Sequence, residues 1–264
     1  MKQYLATAIR ASIDGGLAIM KVYETAFEVE IKDDNSPLTL ADKSANDVIN
    51  SYLEKTPFPI ISEENKLLDY NTRKEWKQCW MVDPLDGTKE FVKRNGEFTV
   101  NIAFINEHRT TLGVIYVPVS KTLYFTSEDA SKAYKLTLTD TDMDTEDIFA
   151  QATMITPETP SAEQALKIVG SRSHLNEATA AFIAEKEANG SVEIVSKGSS
   201  LKFCLVAEGD AHVYPRFAPT MEWDTAAGQA ICQAAGVQVI NQETGLPLTY
   251  NREDLLNPHF LVSQ

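Results

Sequence analysis

Apolar residues recur at helical spacing from the start of the chain. Leu5, Ala8, Ile9, Ile13, Leu17 and Met20 fall on one face of a 3.6-residue period, as do Leu40, Val48, Ile49, Tyr52 and Leu53. Two helices are predicted, the second with Thr39 as its N-cap. The pattern then changes to short runs of β-branched and aromatic residues between turn signals, at 59–62, 79–83, 98–105, 112–117 and 123–125. These predict a meandering, largely antiparallel sheet. From 139 to 163, Asp140, Asp142, Asp144, Glu146, Asp147 and Glu158 lie among Thr and Pro, which predicts a loop between two sub-domains. Beyond it, strand and helix signals alternate through 168–169, 176–188, 192–195, 201–207, 211–214, 225–235 and 237–240, an α/β pattern. The expected organisation is a helix-and-antiparallel-sheet half at 1–140, an acidic linker at 141–163 and an α/β half at 164–264.

Hydrophobic residues make up 43% and charged residues 23% of the 264 positions, which fits an ordinary folded chain with a sizeable core. The formal net charge of −14 opposes general binding to nucleic acid polymers or to an anionic membrane. A polyanionic substrate must therefore meet a local basic exception. Cys79, Cys204 and Cys232 form no CxxC pair and predict reduced, structural thiols. Arg10 and Asp14 interrupt the first segment before a signal-peptide core could form, and no apolar run is long enough to span a bilayer. The expectation is a cytoplasmic protein with no integral membrane segment. Asn189-Gly190-Ser191 matches a glycosylation acceptor and is read as coincidence. Asp140, Asp142 and Asp144 imitate the first ligands of an EF-hand, but Thr145 stands where the loop needs Gly and Gln151 where it needs Glu.

The densest chemistry lies at two strand ends, Ser62-Glu63-Glu64 and Asp83-Pro84-Leu85-Asp86-Gly87-Thr88. Pro84 removes an N–H and Gly87 permits a positive φ, so the backbone can turn sharply and aim both aspartates, with the Leu85 carbonyl, at one point. Converging hard oxygens suit Mg²⁺ or Mn²⁺ rather than zinc. A third candidate, Asp224, stands at the start of a helical run, where it could equally cap the helix. Taken singly, each piece also reads as a turn, a solvated surface pair or a cap. The DxDGT loop of haloacid dehalogenase phosphatases is a competing reading, but one residue more separates the two aspartates here, which turns the side chains differently along an extended backbone.

With these motifs in order, the chain resembles the inositol monophosphatase superfamily of Mg²⁺-dependent, lithium-sensitive phosphatases, and within it the 3′(2′),5′-bisphosphate nucleotidases of the CysQ type, enzymes of sulfur metabolism. The resemblance covers nearly the whole chain and rests on DNSPLTLAD (34–42), ISEE (61–64), WMVDPLDGTKEF (80–91), NGEFTVNIA (95–103), GSRSH (170–174), GSSLKFCLVAEGDAHVYPRF (198–217) and EWDTAAG (222–228). It implies a layered αβαβα sandwich of the α/β (α+β) class. It places the metal ligands on Glu63, Asp83, the Leu85 carbonyl, Asp86 and Asp224, with two or three Mg²⁺ ions, Mn²⁺ as the alternative, and Asp42 and Thr88, beside Glu63, as the groups that activate the attacking water. The residues agree with this, because so many carboxylates in one cleft would raise one another's pKa unless cations neutralised them.

The local basic exception lies in the second half, where Lys197, Lys202 and Arg216 surround Gly198-Ser199-Ser200, a turn whose N–H groups open a helical run. The resemblance assigns nucleotide contacts to Ser171, His174, Gly198 and Lys202, with Ser199 in the same turn and Gly87, Thr88 and Asp224 facing the substrate from the metal side. Arg216 reads as a phosphate clamp by its fork of donors. His174 fits a hydrogen-bonded surface residue equally well. The function implied is removal of the 3′-phosphate of adenosine 3′,5′-bisphosphate, with its sulfated relative as a further substrate. The runner-up is an inositol monophosphatase or another sugar phosphatase, against which stands Lys89-Glu90 where those enzymes carry Thr-Asn. A catalytically idle nucleotide-binding regulator is the alternative from a different class. Relatives also associate peripherally with the inner membrane, which the acidic balance does not support. Glu222, beside the Asp224 position, reads either as an acid that perturbs metal affinity or as a solvent-facing one. The oligomeric state is left open.

Overall fold

The computed structural model describes residues 1–25, 37–161, 163–170 and 176–264. Helices α1 (Lys2–Tyr23) and α2 (Pro37–Leu53) come first. There follow β1 (Ile60–Ser62), α3 (Tyr70–Arg73), β2 (Gln78–Asp86), α4 (Thr88–Val92), β3 (Thr99–Asn106), β4 (Arg109–Val117), β5 (Thr122–Thr126), β6 (Ala133–Thr137), α5 (Thr145–Gln151) and β7 (Thr153–Ile155). The second half runs β8 (Leu166–Gly170), α6 (Glu177–Glu187), β9 (Val192–Ser196), α7 (Leu201–Ala207), β10 (Val213–Arg216), α8 (Glu222–Ala235), β11 (Gln238–Asn241) and β12 (Phe260–Ser263).

Strands β1 to β7 pair in sequence order, with β1 parallel to β2 and the remaining neighbours antiparallel. The second sheet has the order β11-β12-β10-β8-β9. Helices α1 and α2 pack together on the first sheet, α7 and α8 lie between the two sheets, and α6 covers β9 and β10. The layers are those of the expected αβαβα sandwich. Alternation along β2 shows how the core is divided: Trp80 and Val82 join the cluster under α1 and α2, while Cys79 and Met81 join the one around α7 and α8. By the same alternation Asp83 belongs to the α8 side, and the sheet thereby fixes where the acid points.

Several expectations are corrected. Helix α2 begins at Pro37, so Thr39 lies inside it rather than capping it, and proline suits that first helical position. Its inward face is Ala41, Ala45, Ile49 and Leu53, whereas Leu40 is exposed. Small residues face inward because α2 packs closely on α1 at Gly15, where an added Cβ would come within 2.9 Å of Ile49. The acidic stretch 141–163 holds α5 and β7, the last strand of the first sheet. Asp144 spends its carboxylate on the N-terminus of α5, accepting from Glu146 N–H at 3.0 Å, rather than on a calcium loop. Charged residues within α1 serve the same junction: Arg10 pairs with Asp14 and donates to the Thr141 carbonyl at 2.7 Å. Strands β6 and β12 carried no signal in the sequence reading, and β12 pairs between β10 and β11.

Helix α8 can lie between the sheets because its faces are small, with Ala226, Ala227, Gly228 and Ala230. It approaches β4 so closely that a Cβ on Gly113 would stand 2.5 Å from the Ala227 carbonyl oxygen. Backbone cannot yield as a side chain does. Gly113→Ala is therefore expected to cost about 1–3 kcal/mol through overpacking, measured as a shift of the urea midpoint at constant slope; an unchanged midpoint would show that the layers separate freely.

Candidate active site

The parallel pairing of β1 with β2 sets Ser62 beside Val82, and Glu63 N–H donates to the Val82 carbonyl at 3.2 Å. Glu63 therefore leaves β1 next to Asp83. Pro84 interrupts the β2 ladder, and the register slips between Asp83 and Asp86. Leu85 N–H donates back to Asp83 Oδ1 at 3.1 Å, and Gly87 turns with φ +95° into α4, which begins at Thr88. From the opposite side α8 brings Asp224, whose Oδ2 accepts from Met221 N–H at 2.8 Å. The capping reading of Asp224 is seen directly in this bond, and it leaves the second carboxylate oxygen outside the cap. Oxygens of Glu63, Asp83 and Asp224 all lie within 4.8 Å of one another.

A cavity of about 260 Å³ opens on this cluster. Its wall carries Glu63, Asp83, Asp86 and Asp224, with Leu85, Gly87 and Thr88 on the connecting turn. The same wall carries Gly198, Ser199, Ser200, Lys202, Tyr214 and Arg216 from the second half, with Lys202 in the field of Asp86 and Asp224. Burial, then Glu64 and Glu63, raises the Asp42 pKa to about 8, which sets Asp42 beside the acids although it is not on the cavity wall. Burial, then Asp86 and Glu64, raises Glu63 to about 7, and burial with Asp86 raises Asp224 to about 7. Asp83, 1% exposed, is held well above the usual carboxylate range by burial and by Asp86, Glu63 and Asp224.

Asp86 departs from the expected geometry. It is not in the cluster of three converging carboxylates; Asn101 Nδ2 donates to it at 3.4 Å, and Lys202 and the Ser200 backbone favour its charged form against the burial that raises its pKa. Asn101 is fixed in turn by Ser200 Oγ, 2.7 Å from its Oδ1, and Ser200 Oγ lies 2.8 Å from Thr99 Oγ1. A residue of the metal half is thus oriented by the turn of the other half. Sequence reasoning missed Thr99, Asn101 and Ser200, although the first two stand in the NGEFTVNIA motif.

On the basic side, burial lowers the Lys202 pKa to about 8 while Asp86 opposes the shift, and its Nζ donates to the Ser199 carbonyl at 2.6 Å. Arg216 gives one Nη2 bond to the Pro219 carbonyl at 3.0 Å, and its buried Nε has no hydrogen-bond partner. Lys197 differs from the expectation. It pairs with Glu97 at 3.4 Å, and the Gly198 N–H also goes to Glu97, at 2.9 Å, so neither is free to meet an anion. Ser171 and His174 lie outside the described residues. Lys89 and Glu90 line the cavity, and Glu90 packs against Gly198, where an added Cβ would come within 2.4 Å of it.

Glu222 neither faces solvent nor points at the metal position. It is fully buried, and Asn251 N–H and Arg252 Nε donate to its two oxygens at 2.6 and 2.9 Å.

The residues present fit a divalent cation. The converging donors are all carboxylate oxygens, no His or Cys lines the cavity among the described residues, and burial together with mutual repulsion keeps the acids holding protons near neutral pH.

The Inositol monophosphatase family model matches residues 1–263. The chain belongs to the inositol monophosphatase family. Its members are phosphatases, and the carboxylate cluster is the metal-dependent kind of site that such chemistry uses. The chain is 44% identical over 255 residues to the 3′(2′),5′-bisphosphate nucleotidase CysQ of Salmonella typhimurium, covering 95% of each. The crystal structure of CysQ from Bacteroides thetaiotaomicron superposes with a TM-score of 0.92 at 48% identity, over 100% of this chain and 97% of that one. An inositol monophosphatase from Zymomonas mobilis shares the fold alone, with a TM-score of 0.77 at 18% identity over 99% and 92% of the two chains. Among the described residues, no helix is long and apolar enough to cross a membrane.

The raised acids make metal-free stability depend on pH. Asp42, Glu63 and Asp224 bind protons more tightly in the folded state than in the unfolded chain, whose carboxylates titrate near pH 4. Between there and about pH 8 the folded state holds more protons, so stability falls as the pH rises. The chelator-treated protein is expected to melt at a lower temperature at about pH 8 than at about pH 5.5, with Mg²⁺ at the higher pH restoring the loss. A melting temperature that rises with pH, or is indifferent to Mg²⁺, would contradict this.

Proposed function

We propose that the protein hydrolyses the 3′-phosphate of adenosine 3′,5′-bisphosphate, releasing AMP and phosphate in a Mg²⁺-dependent reaction, and accepts the sulfated relative of that nucleotide. The observation that carries the reading is that one cavity is lined both by three converging carboxylates and by Lys202 and Arg216. A substrate with two phosphates uses both, one phosphate on the metal and one on the cations. The names of the nucleotidase relatives support the substrate class, and the unpartnered Nε of Arg216 supplies a buried donor where a second phosphate would lie.

Glu63, Asp83, the Leu85 carbonyl, Asp86 and Asp224 would hold the cations. When bound, the ions neutralise the acids, activate a water and polarise the phosphoryl group. Asp42 and Thr88 orient that water. Its oxygen forms the new P–O bond as the ester P–O bond breaks toward the 3′ oxygen, the acidic cluster takes the water's proton, and a proton returns from the site to the departing 3′ oxygen to give its hydroxyl. Lys202 and Arg216 hold the 5′-phosphate, and Gly87, Gly198 and Ser199 shape the floor between them. Ser171 and His174 complete the nucleotide contacts in this reading. No step forms a phosphoenzyme.

Phosphate release from adenosine 3′,5′-bisphosphate, inositol 1-phosphate and fructose 1,6-bisphosphate, measured side by side with Mg²⁺, tests the assignment. The nucleotide is expected to give the highest kcat/KM; a preference for inositol 1-phosphate would make this a sugar phosphatase, and no release from any would make it an idle binder. Thr88→Ala is expected to lower kcat about 10²–10⁴-fold with the Mg²⁺ requirement unchanged. A raised Mg²⁺ requirement at intact saturated rate would give Thr88 a ligand-holding role instead.

Lys202→Ala and Arg216→Ala should each lower kcat/KM for the bisphosphate about 10- to 100-fold, since a charged hydrogen bond contributes roughly 1.5–3 kcal/mol. The loss should be much smaller on a 3′-monophosphate. Equal losses on both substrates would tie the two cations to the reacting phosphate or to the fold.

A further inference from the structure

Glu222 is the most enclosed acid near the site, with no measurable exposure, and it lies two residues before Asp224 on the first turn of α8. Among the described residues, its carboxylate bonds all go to one loop. Oε2 accepts from Asn251 N–H at 2.6 Å, and Oε1 accepts from Arg252 N–H at 3.1 Å and Arg252 Nε at 2.9 Å. The same loop grips the helix start again, through Asn257 Nδ2 to the Met221 carbonyl at 2.7 Å and Glu222 N–H to the Leu255 carbonyl at 2.9 Å.

Asn251 carries the connection onward. It is 1% exposed and sits at φ +58°, a conformation asparagine tolerates better than most residues. Its Oδ1 accepts from Arg73 Nη1 at 2.8 Å and its Nδ2 donates to the Arg73 carbonyl at 2.8 Å. Arg73 is 2% exposed, and its remaining donors reach the carbonyls of Leu68, Arg252 and Glu253. Glu222, one asparagine away from this buried guanidinium, forms its ion pair with Arg252 at 2.9 Å. Arg73 lies on α3, which closes the segment leaving Glu63, and Glu222 opens the helix that carries Asp224.

We infer that the buried chain Glu222–Asn251–Arg73 is the positioning element of the metal site, locking the Glu63 segment and the Asp224 helix to one loop so that their carboxylates converge. The inference rests on the reading that Glu63, Asp83 and Asp224 hold the cation. Nothing in the chain touches the reacting atoms. Its effect is on the distance between ligands that reach the site from opposite sides, and such outer partners typically change metal affinity 10–100-fold when lost.

The test is calorimetric titration of the chelator-treated protein with Mn²⁺, at a temperature where near-ultraviolet circular dichroism shows every variant folded. Glu222→Gln keeps the shape but sets an amide donor against the N–H groups it faces, and Asn251→Gly keeps the left-handed backbone while removing the link to Arg73. Each is expected to weaken Mn²⁺ binding about 10–100-fold. Ile148→Ala, in the core of the first half, controls for stability: it should lower the melting temperature and leave Mn²⁺ affinity intact. Asp224→Asn separates the two levels. If Asp224→Asn retains affinity, the reading of the site fails. If Asp224→Asn loses affinity while Glu222→Gln and Asn251→Gly stay within about twofold of the wild-type value, the positioning inference is overturned. Should Glu222→Gln not be recovered folded, Asn251→Gly decides by the same titration.

Discussion

Repulsion among Glu63, Asp83 and Asp224 is the constraint around which the fold is arranged. Two unit charges about 5 Å apart repel by about 3 kcal/mol at an effective dielectric constant near 20, and oxygens of these acids lie within 4.8 Å of one another. A chain left to relax would splay them. The parallel β1–β2 pair keeps Glu63 beside Asp83, and a helix of alanine and glycine slides between two sheets to bring Asp224 against both. The acids respond in the one way left to them without cations, by holding protons. A divalent ion removes the repulsion and turns a destabilising cluster into a binding site.

The second half answers the first with opposite charge. Lys202, 8% exposed and flanked by Asp86 and Arg216, puts a cation deep in a protein whose net charge is strongly negative. Asp86, bonded by Asn101 and drawn toward Lys202, joins the turn 198–200 and the acidic cluster in one polar network. In the proposed function this arrangement separates the requirements of catalysis from those of selectivity, the acids serving the metal and Lys202 and Arg216 the choice of substrate.

Much of this was legible in the sequence because the decisive features are local. The apolar run ending in Asp83-Pro84-Leu85-Asp86-Gly87 announces a strand that turns, and the turn is there, bulge and positive φ included. The layered fold and the family followed from motifs spread along the whole chain. What escaped was set by partners distant in sequence. Leu40 is apolar but faces outward, because the buried stripe of α2 runs through Ala41, Ala45, Ile49 and Leu53, one position out of phase with it. Lys197 looks like a free cation until Glu97 is seen beside it, 100 residues away. Glu222 reads either as an acid that perturbs the metal or as a solvent-facing one because nothing local reveals Asn251 and Arg252, and β12 reaches its place between β10 and β11 only through tertiary pairing.

The most direct test is a crystal structure of the protein with Mn²⁺ and AMP, using anomalous scattering to locate the metal. Manganese peaks bounded by Glu63, Asp83 and Asp224, with the 5′-phosphate of AMP on Lys202 and Arg216, are the expected result. Metal elsewhere, or the nucleotide phosphate bound only on the metal with Lys202 and Arg216 untouched, would contradict the separate roles of acids and cations on which the proposed function depends.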